Sequence, residues 1–586
     1  MQFSLLFRLA ALVVATLPFT FLAAQTLPIA IDGQFDDWTS AAVSLEDGVG
    51  GGTGIDLLRM SVANDEKYLF IRFEIDQEVV LTDNNSLTLF LDGDHNQLTG
   101  KLINGIGAEL ELRLGDRDVT FYKGNSQFYP ELSEVKFFHL PTFSSKVFEM
   151  AIGRDALPDG FSPLFTGNQI RLYFQNGTSG DKMPNTGQTF SYTFNSTPAP
   201  PYQVIDLQKF SSSHLRVLTW NTLSDGLLDN ARKPHFQRVL AALQPDIITF
   251  NECWTMTAGQ AATFMNTAVP LGNFQSWNAA KTVAGNITVS RYPILQNWSV
   301  YTGSRLMASL IDLPDAIFEK DILVVNGHLR CCSANSERQL EADAFAKFIL
   351  DATSPGGVID LPEATPFVLS GDMNLVGWQQ QYTTLTTGSI VNTGSFGNGG
   401  PLDWDGSNLL DVLALHADQR MAFTWQEAGS QYPPSLLDYH ICSNSVLEVK
   451  KAFTLQTETM SQTRLEDAGL HQDDTGAASD HLPKVVDFML KPLTAVIPSK
   501  MVHEKWSIAP NPAQTSFTLN WPTTTSLELA TLRLSNTYGQ VVRQWNFSVN
   551  QQGQAFSLEE LADGIYFWQV EKEGQQIESG KLLIVK

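Results

Sequence analysis

The apolar residues of this chain change period twice, and that limits the fold more than any single motif. Over residues 26–197 they alternate with polar ones, as in YLFIRFEI (68–75), SLTLFLD (86–92) and GAELELRL (107–114), with turn stretches such as DGDHNQLTG between. Period-two alternation marks half-buried strands, and several short ones in succession predict an antiparallel β-sandwich. Over residues 213–490 strands such as LRVLTW, DIITF, DILVVNGH and PFVLSGD instead alternate with PHFQRVLAALQ (234–244) and ERQLEADAFAKFIL (337–350), whose apolar spacing is helical. That pattern is an α/β domain. Residues 505–586 return to short strands, SFTLNW, LATLRLSNTYG, GIYFWQVEK and KLLIVK, and predict a small second sandwich. NSTPAPPYQ (195–203) and KPLTAVIPSKMVHEK (491–505) read as linkers, the first Pro-rich. At about 100–200 residues per domain, a chain of 586 residues agrees with three or four domains.

Within the α/β domain, apolar strands recur with a polar residue where the strand meets a loop. VLTWN ends in Asn221, IITFNE in Glu252, ILVVNGH in His328, and FVLSGDMN in Asp372 and Asn374; SLLDY carries Asp438, and GAASDHLPKVVDF carries Asp480 and His481. Taken singly, each is what any strand running into a loop shows. Taken together, the types are only Asn, Glu, His and Asp, the residues that ligate a hard cation and move protons. In an extended GDMN, Asp372 and Asn374 would point to the same side. Pro483 cannot donate to a central ladder and suits the first residue of a strand, which puts Asp480 and His481 in the loop entering it. Such a set suits phosphoester hydrolysis: oxygen ligands hold Mg²⁺, the cation neutralises charge building on the phosphoryl group, and a His held by an Asp moves a proton.

The order WN, NE, SRYP (290–293), NGHL, GDMN, LDY and SDH resembles the endonuclease/exonuclease/phosphatase superfamily across about 213–490. The resemblance implies a central four-layer αββα sandwich, flanked here by two all-β sandwich domains. It implies Glu252 as the main metal ligand with Asn221 beside it, and Asp480 as a further metal or water ligand. Asp372 and Asn374 would position the water and the phosphate. His328 would contact the phosphate or assist the leaving group. His481 would be the general base or a phosphate contact, oriented by Asp438. Mg²⁺ or Mn²⁺ is the implied cofactor, with Ca²⁺ also open. Asn251 departs from the usual Gln before the Glu. IDGQFDDW (31–38) with FLDGDHNQLTG resembles carbohydrate-binding and DOMON-like β-sandwich modules, which implies a glycan partner for residues 26–197. Asp92, Asp94 and Asn96 have calcium-loop spacing, but Gln97 and Ile103 stand where an EF-hand needs Gly and Glu, so the stretch reads as a plain turn. WSIAPNPAQTSFTL, LRLSNTYGQVV, LADGIYFWQV and GKLLIVK resemble the type IX secretion sorting domain of Bacteroidetes, which implies export by that machinery and a secreted or cell-surface protein.

The N-terminus agrees with export. MQFSLLFR, then LAALVVATLPFTFLAA, then small residues read as a signal peptide over 1–25, and no later stretch approaches a membrane span. Cys253, Cys331, Cys332 and Cys442 have no CxxC spacing, which argues against zinc; a vicinal disulfide and pairing with Cys253 or Cys442 are both open. The α/β domain carries 16 Lys and Arg against 29 Asp and Glu, a balance of −13. Nucleic-acid binding draws on Lys and Arg, so this balance disfavours a tight nuclease. Trp378, Tyr382 and Trp404 are candidates for the apolar loop a phospholipase needs, although such aromatics are more often core or rim residues. The expected activity is a general metal-dependent phosphodiesterase or phosphatase, with nucleic acid, phospholipid and small phosphodiesters open as substrates. The alternative is a non-catalytic cell-surface glycan-binding protein with a degenerate hydrolase domain; the presence of every ionisable motif member argues against it.

Overall fold

A computed structural model describes residues 28–38, 43–48, 54–272, 275–357, 359–491, 507–521, 530–536, 540–548, 553–572 and 575–586. The stretch expected to be a signal peptide and nearly all of the expected second linker lie outside these residues. No described helix is long and apolar enough to cross a membrane. The chain divides near Pro492 into two compact units.

The first unit begins with a sandwich of a five-stranded and a seven-stranded antiparallel sheet. Its longest strand, Tyr68–Val79, turns Leu69, Ile71, Phe73 and Ile75 into the core between the sheets. Phe70 breaks the alternation, and it is buried too. With Ile31, Ala63, Leu140 and Ala151 it forms a second core against Met421, Ala422, Phe423 and Leu482 of the α/β domain. The sandwich therefore buries one outer face against its neighbour. Residues 195–203 do not act as a free spacer: Tyr202 donates to the His416 carbonyl (2.7 Å) and Arg420 to the Pro200 carbonyl (2.6 Å).

The α/β domain holds two six-stranded sheets. In one, Leu215–Asn221 runs parallel to Ile247–Cys253 and antiparallel to Lys484–Leu490. In the other, Ile322–His328 runs parallel to Phe367–Asp372, which pairs antiparallel with Asp438–Cys442. The sheets face each other through Val217, Ile247, Val324, Val368 and Val486. Helices Lys233–Leu243 and Ala258–Ala268 cover the outer face of the first sheet through Phe236, Val239, Phe264 and Met265. Helix Asn335–Ala352 links two parallel strands of the second sheet, so it lies on that sheet's outer face, as a β–α–β crossover requires. These are the four layers of an αββα sandwich. Arg216 ties the first sheet together from inside: it makes a bidentate pair with Asp487 (2.6 and 2.7 Å) and donates to the Leu207 and Leu243 carbonyls.

The second unit, residues 507–586, is a small sandwich of a three-stranded and a four-stranded sheet around Phe517, Leu519, Leu532, Trp568 and Val570.

Candidate active site

Strand direction gathers the polar residues. Asn221, Glu252, His328 and Asp372 lie at the C-terminal ends of strands, whereas Asp438 begins a strand that runs the other way. Asp480 and His481 precede the antiparallel Lys484–Leu490 in the same manner, with Pro483 just outside the strand. All these ends therefore meet at one edge of the two sheets. The register sharpens this: His328 pairs with Asp372, and Asp372 with Asp438, side by side on three adjacent strands. Gly327 and Gly371 are register partners one step back. Gly371 has φ +149°, and a Cβ there would stand 1.9 Å from the Gly327 carbonyl oxygen, so the glycine of the GDMN motif lets the two strands close up.

His481 Nδ1 lies 2.8 Å from Asp438 Oδ2, and its Nε2 faces Asp372 Oδ2 at 3.7 Å. His328 Nε2 approaches the same Asp372 oxygen at 3.5 Å. Asn221 Nδ2 donates to Asp372 Oδ2 (3.0 Å) and Glu252 Oε1 (3.2 Å), joining the two sheets at the site. Glu252 has φ +58°, beside an irregularity in the strand pairing, which turns its carboxylate out while Asn251 and Cys253 stay buried. Ser224 N–H then donates to Glu252 Oε2 (3.0 Å). Asn251, the departure from the family pattern, bridges the sheets: its Nδ2 donates to Asn326 Oδ1 (2.9 Å) and its Oδ1 accepts from Asp372 N–H (3.0 Å). Asp480 Oδ2 accepts from Trp425 Nε1 (2.9 Å).

One expectation fails. GDMN is not extended past Asp372: Asn374 has φ +47°, its N–H donates to Asp372 Oδ1 (3.0 Å), and its Nδ2 donates to the Leu329 carbonyl (3.1 Å). The short side-chain-to-backbone bond bends the chain where alternation would have continued it.

Burial sets the charge preferences. It drives the His481 imidazole down, but Asp438 and Asp372 outweigh it and hold its pKa above the ordinary value. Burial, then the Arg305 and His481 charges, hold His328 well below its ordinary value, so it is neutral. Burial raises the Asp372 carboxyl, with His481 opposing and Asp438 adding to the rise.

The cleft in front of these groups measures about 780 Å³. It also contains Arg305 and Trp254, to which no motif pointed, and the Cys331–Cys332 pair that directly follows NGHLR. Arg305 Nη1 lies 3.1 Å from His328 Nδ1, and its guanidinium stacks over Trp254 (5.6 Å). Cys331 and Cys332 line the cleft as exposed free thiols, while Cys253 and Cys442 are buried in separate cores, so the exposed pair is not joined to either. The three aromatics proposed for an apolar loop are elsewhere: Trp378 is exposed outside the cleft, Tyr382 stacks on Phe143, and Trp404 is buried. In the first sandwich, oxygens of Asp92, Asp94 and Glu109 lie within 4.8 Å of one another, so Glu109 joins the two aspartates of the calcium-like turn. The IDGQFDDW motif is used internally: Trp38 Nε1 and the Asp32 and Gly33 N–H groups all donate to Glu149.

Two sheets face to face with helices outside make an αββα sandwich whose one edge gathers His, Asp, Glu and Asn side chains. Residues 218–481 match the Endonuclease/Exonuclease/phosphatase family, and residues 507–586 match the Secretion system C-terminal sorting domain. No curated protein matches the chain. Among solved structures it is similar to the catalytic domain of human nocturnin (17% identity, TM-score 0.31, 49% of this chain and 97% of that one). It is also similar to sphingomyelinase C from Streptomyces griseocarneus (16%, 0.28, 47% and 99%) and to an AP endonuclease from Leishmania major (13%, 0.29, 50% and 93%).

Proposed function

We propose that the protein is an exported, metal-dependent hydrolase of phosphoesters. The observation that carries this is the His481–Asp438 pair standing at the same strand edge as Glu252, Asn221, Asp372 and His328. The donors fit a hard cation: Glu252, Asn221 and Asp480 offer carboxylate and amide oxygens, the set that Mg²⁺ or Mn²⁺ takes. Bound there, the ion neutralises charge on the phosphoryl oxygens. Asp438 fixes the ring of His481, so its Nε2 is the atom that exchanges a proton with water or the ester oxygen. Asp372 and Asn374 position water and phosphate. His328, kept neutral, donates to a phosphate oxygen or the leaving group, with Arg305 behind it as the fixed positive charge. The sorting domain supports export to the surface or the medium.

The test is His481→Ala, assayed on bis(p-nitrophenyl) phosphate with Mg²⁺ or Mn²⁺. Loss of a positioned acid–base group costs about 10²–10⁴-fold in rate, with the circular dichroism spectrum unchanged. EDTA abolishes the wild-type activity. A wild-type protein inert to that ester, DNA and sphingomyelin refutes the hydrolase reading.

A further inference from the structure

The active-site cleft is not built by the α/β domain alone. Val80, Thr82, Asp83, Asn84, His139 and Thr142, all from the first sandwich, line it together with the reactive groups. Two features fix this wall. Thr142 Oγ1 donates to the carbonyls of Leu375 (2.9 Å) and Leu436 (3.2 Å), and Ser144 N–H to that of Gly377 (2.7 Å). These are the segments that follow Asn374 and precede Asp438, so the sandwich grips the two loops carrying site residues. The turn after strand Tyr68–Val79 is held as well: Asn85 Nδ2 donates to the Val80 and Leu81 carbonyls (2.8 Å each) and Arg117 donates to the Thr82 carbonyl. The Arg117 guanidinium then stacks 4.4 Å over Tyr432, a cleft residue of the α/β domain.

The wall has a size and a sign. About 780 Å³ is the volume of a small-molecule site. The lining holds the carboxylates of Asp83, Glu252, Asp372 and Asp480, one guanidinium, Arg305, and no lysine. Asp83 and Asn84 are exposed in this lining, and Arg117 Nη1 lies 3.8 Å from Asp83 Oδ1, a surface pair that offsets the carboxylate only in part, so a polymer crossing the turn would bring its next phosphates against that carboxylate.

We infer that the first sandwich is a structural wall of the active site, and that its Asp83–Asn84 turn restricts the enzyme to compact phosphoesters carrying one reacting phosphate, against nucleic-acid chains. The inference rests on the hydrolase reading above and names its substrate class. It is tested with wild type and an Asp83→Ala/Asn84→Gly variant of the full chain. Asn84 sits at φ +52°, where glycine fits without strain. The readout is kcat/KM for bis(p-nitrophenyl) phosphate and for a single-stranded oligodeoxynucleotide, with Mg²⁺ or Mn²⁺. Wild type prefers the small ester. In the variant the ratio moves toward the oligonucleotide by about tenfold, the scale of removing one like-charge contact, and the gain shrinks as salt rises. A wild type that prefers the oligonucleotide overturns the inference without the variant being needed, and so does an unmoved ratio in a folded variant. In both cases the hydrolase reading stands. A wild type inert to both substrates overturns that reading and this inference with it.

Discussion

The two β-sandwiches look alike in sequence and are used differently. In the first, the outward Phe70 of strand Tyr68–Val79 is 2% exposed, because Met421, Ala422 and Phe423 cover it. In the second, strand Gly564–Lys572 buries Tyr566, Trp568 and Val570 on one side and leaves Ile565 and Phe567 38% and 50% exposed on the other. Both strands carry apolar residues off the alternation. The first finds a partner for them within its own compact unit and lends side chains to the cleft. Sequence rhythm thus defines a sandwich without saying whether it is a separate module or a part of the enzyme.

The largest effect that can break this comparison comes from deletion. A chain lacking residues 26–197 exposes Met421, Phe423 and Leu482 and frees the loops after Asn374 and before Asp438. It is expected to be insoluble or unfolded, as large uncovered apolar patches are. A chain ending at residue 491 is expected to keep the melting temperature and the kcat/KM of the full protein, because the second sandwich closes its own core. Solubility, calorimetry and the diester assay check both. A well-folded, fully active 213–491 fragment would reduce the first sandwich to an appendage.

Much of the α/β domain was legible beforehand. The strands read around LRVLTW, DIITF, DILVVNGH and PFVLSGD stand at Leu215–Asn221, Ile247–Cys253, Ile322–His328 and Phe367–Asp372. The helix read over 234–244 stands at Lys233–Leu243, because its apolar positions face one core. The His481–Asp438 contact is one that the family resemblance implied, not one that the spacing of the two residues could give. What stayed illegible depends on distant chain segments. Arg305 and Tyr432 have no spacing relation to any motif, and Asp83, Asn84 and His139 reach the cleft only because the sandwich docks there. Asn374 escaped because alternation assumes an extended chain, whereas a local hydrogen bond to Asp372 turned it. Phe70 was a visible hint of docking, an apolar residue on the face that a free sandwich would leave polar, but Phe90 breaks the alternation in the same way and packs on Ile106 and Ala108 of the sandwich itself.

Phe423→Ala is the next smaller test. Phe423 is 4% exposed and stacks on Phe138 of the sandwich at 5.4 Å and 20°. Removing a buried phenyl costs about 3–5 kcal/mol. If the sandwich and α/β domain share one cooperative unit, the loss lowers a single calorimetric transition that contains both. Trp568→Ala, in the core of the second sandwich, should leave that transition in place and lower another. Separate melting of residues 28–197 in the Phe423→Ala variant would show that the shared core couples the two domains only weakly.

The smallest effect concerns Arg117, the one guanidinium that reaches from the sandwich turn to Tyr432. It holds the wall without touching the reactive groups. Its φ of +57° makes alanine a poor probe, since backbone strain would mix with the lost contact, whereas asparagine tolerates this conformation. Arg117→Asn therefore removes the cation–π contact, the bond to Thr82 and the surface ion pair with Asp83 (3.8 Å), the last worth little at an exposed site. A partly exposed cation–π contact is worth about 0.5–1 kcal/mol, which corresponds to a KM for bis(p-nitrophenyl) phosphate about two- to fivefold higher. The kcat should move less, because His481, Asp438 and Asp372 keep their places. A fall in kcat with KM unchanged would mean that Arg117 acts through the loops carrying the reactive groups and not through the wall. An unchanged KM together with an unchanged kcat would mean that the turn keeps its position without Tyr432, leaving Thr142 and Ser144 as the contacts that seat the sandwich against the site.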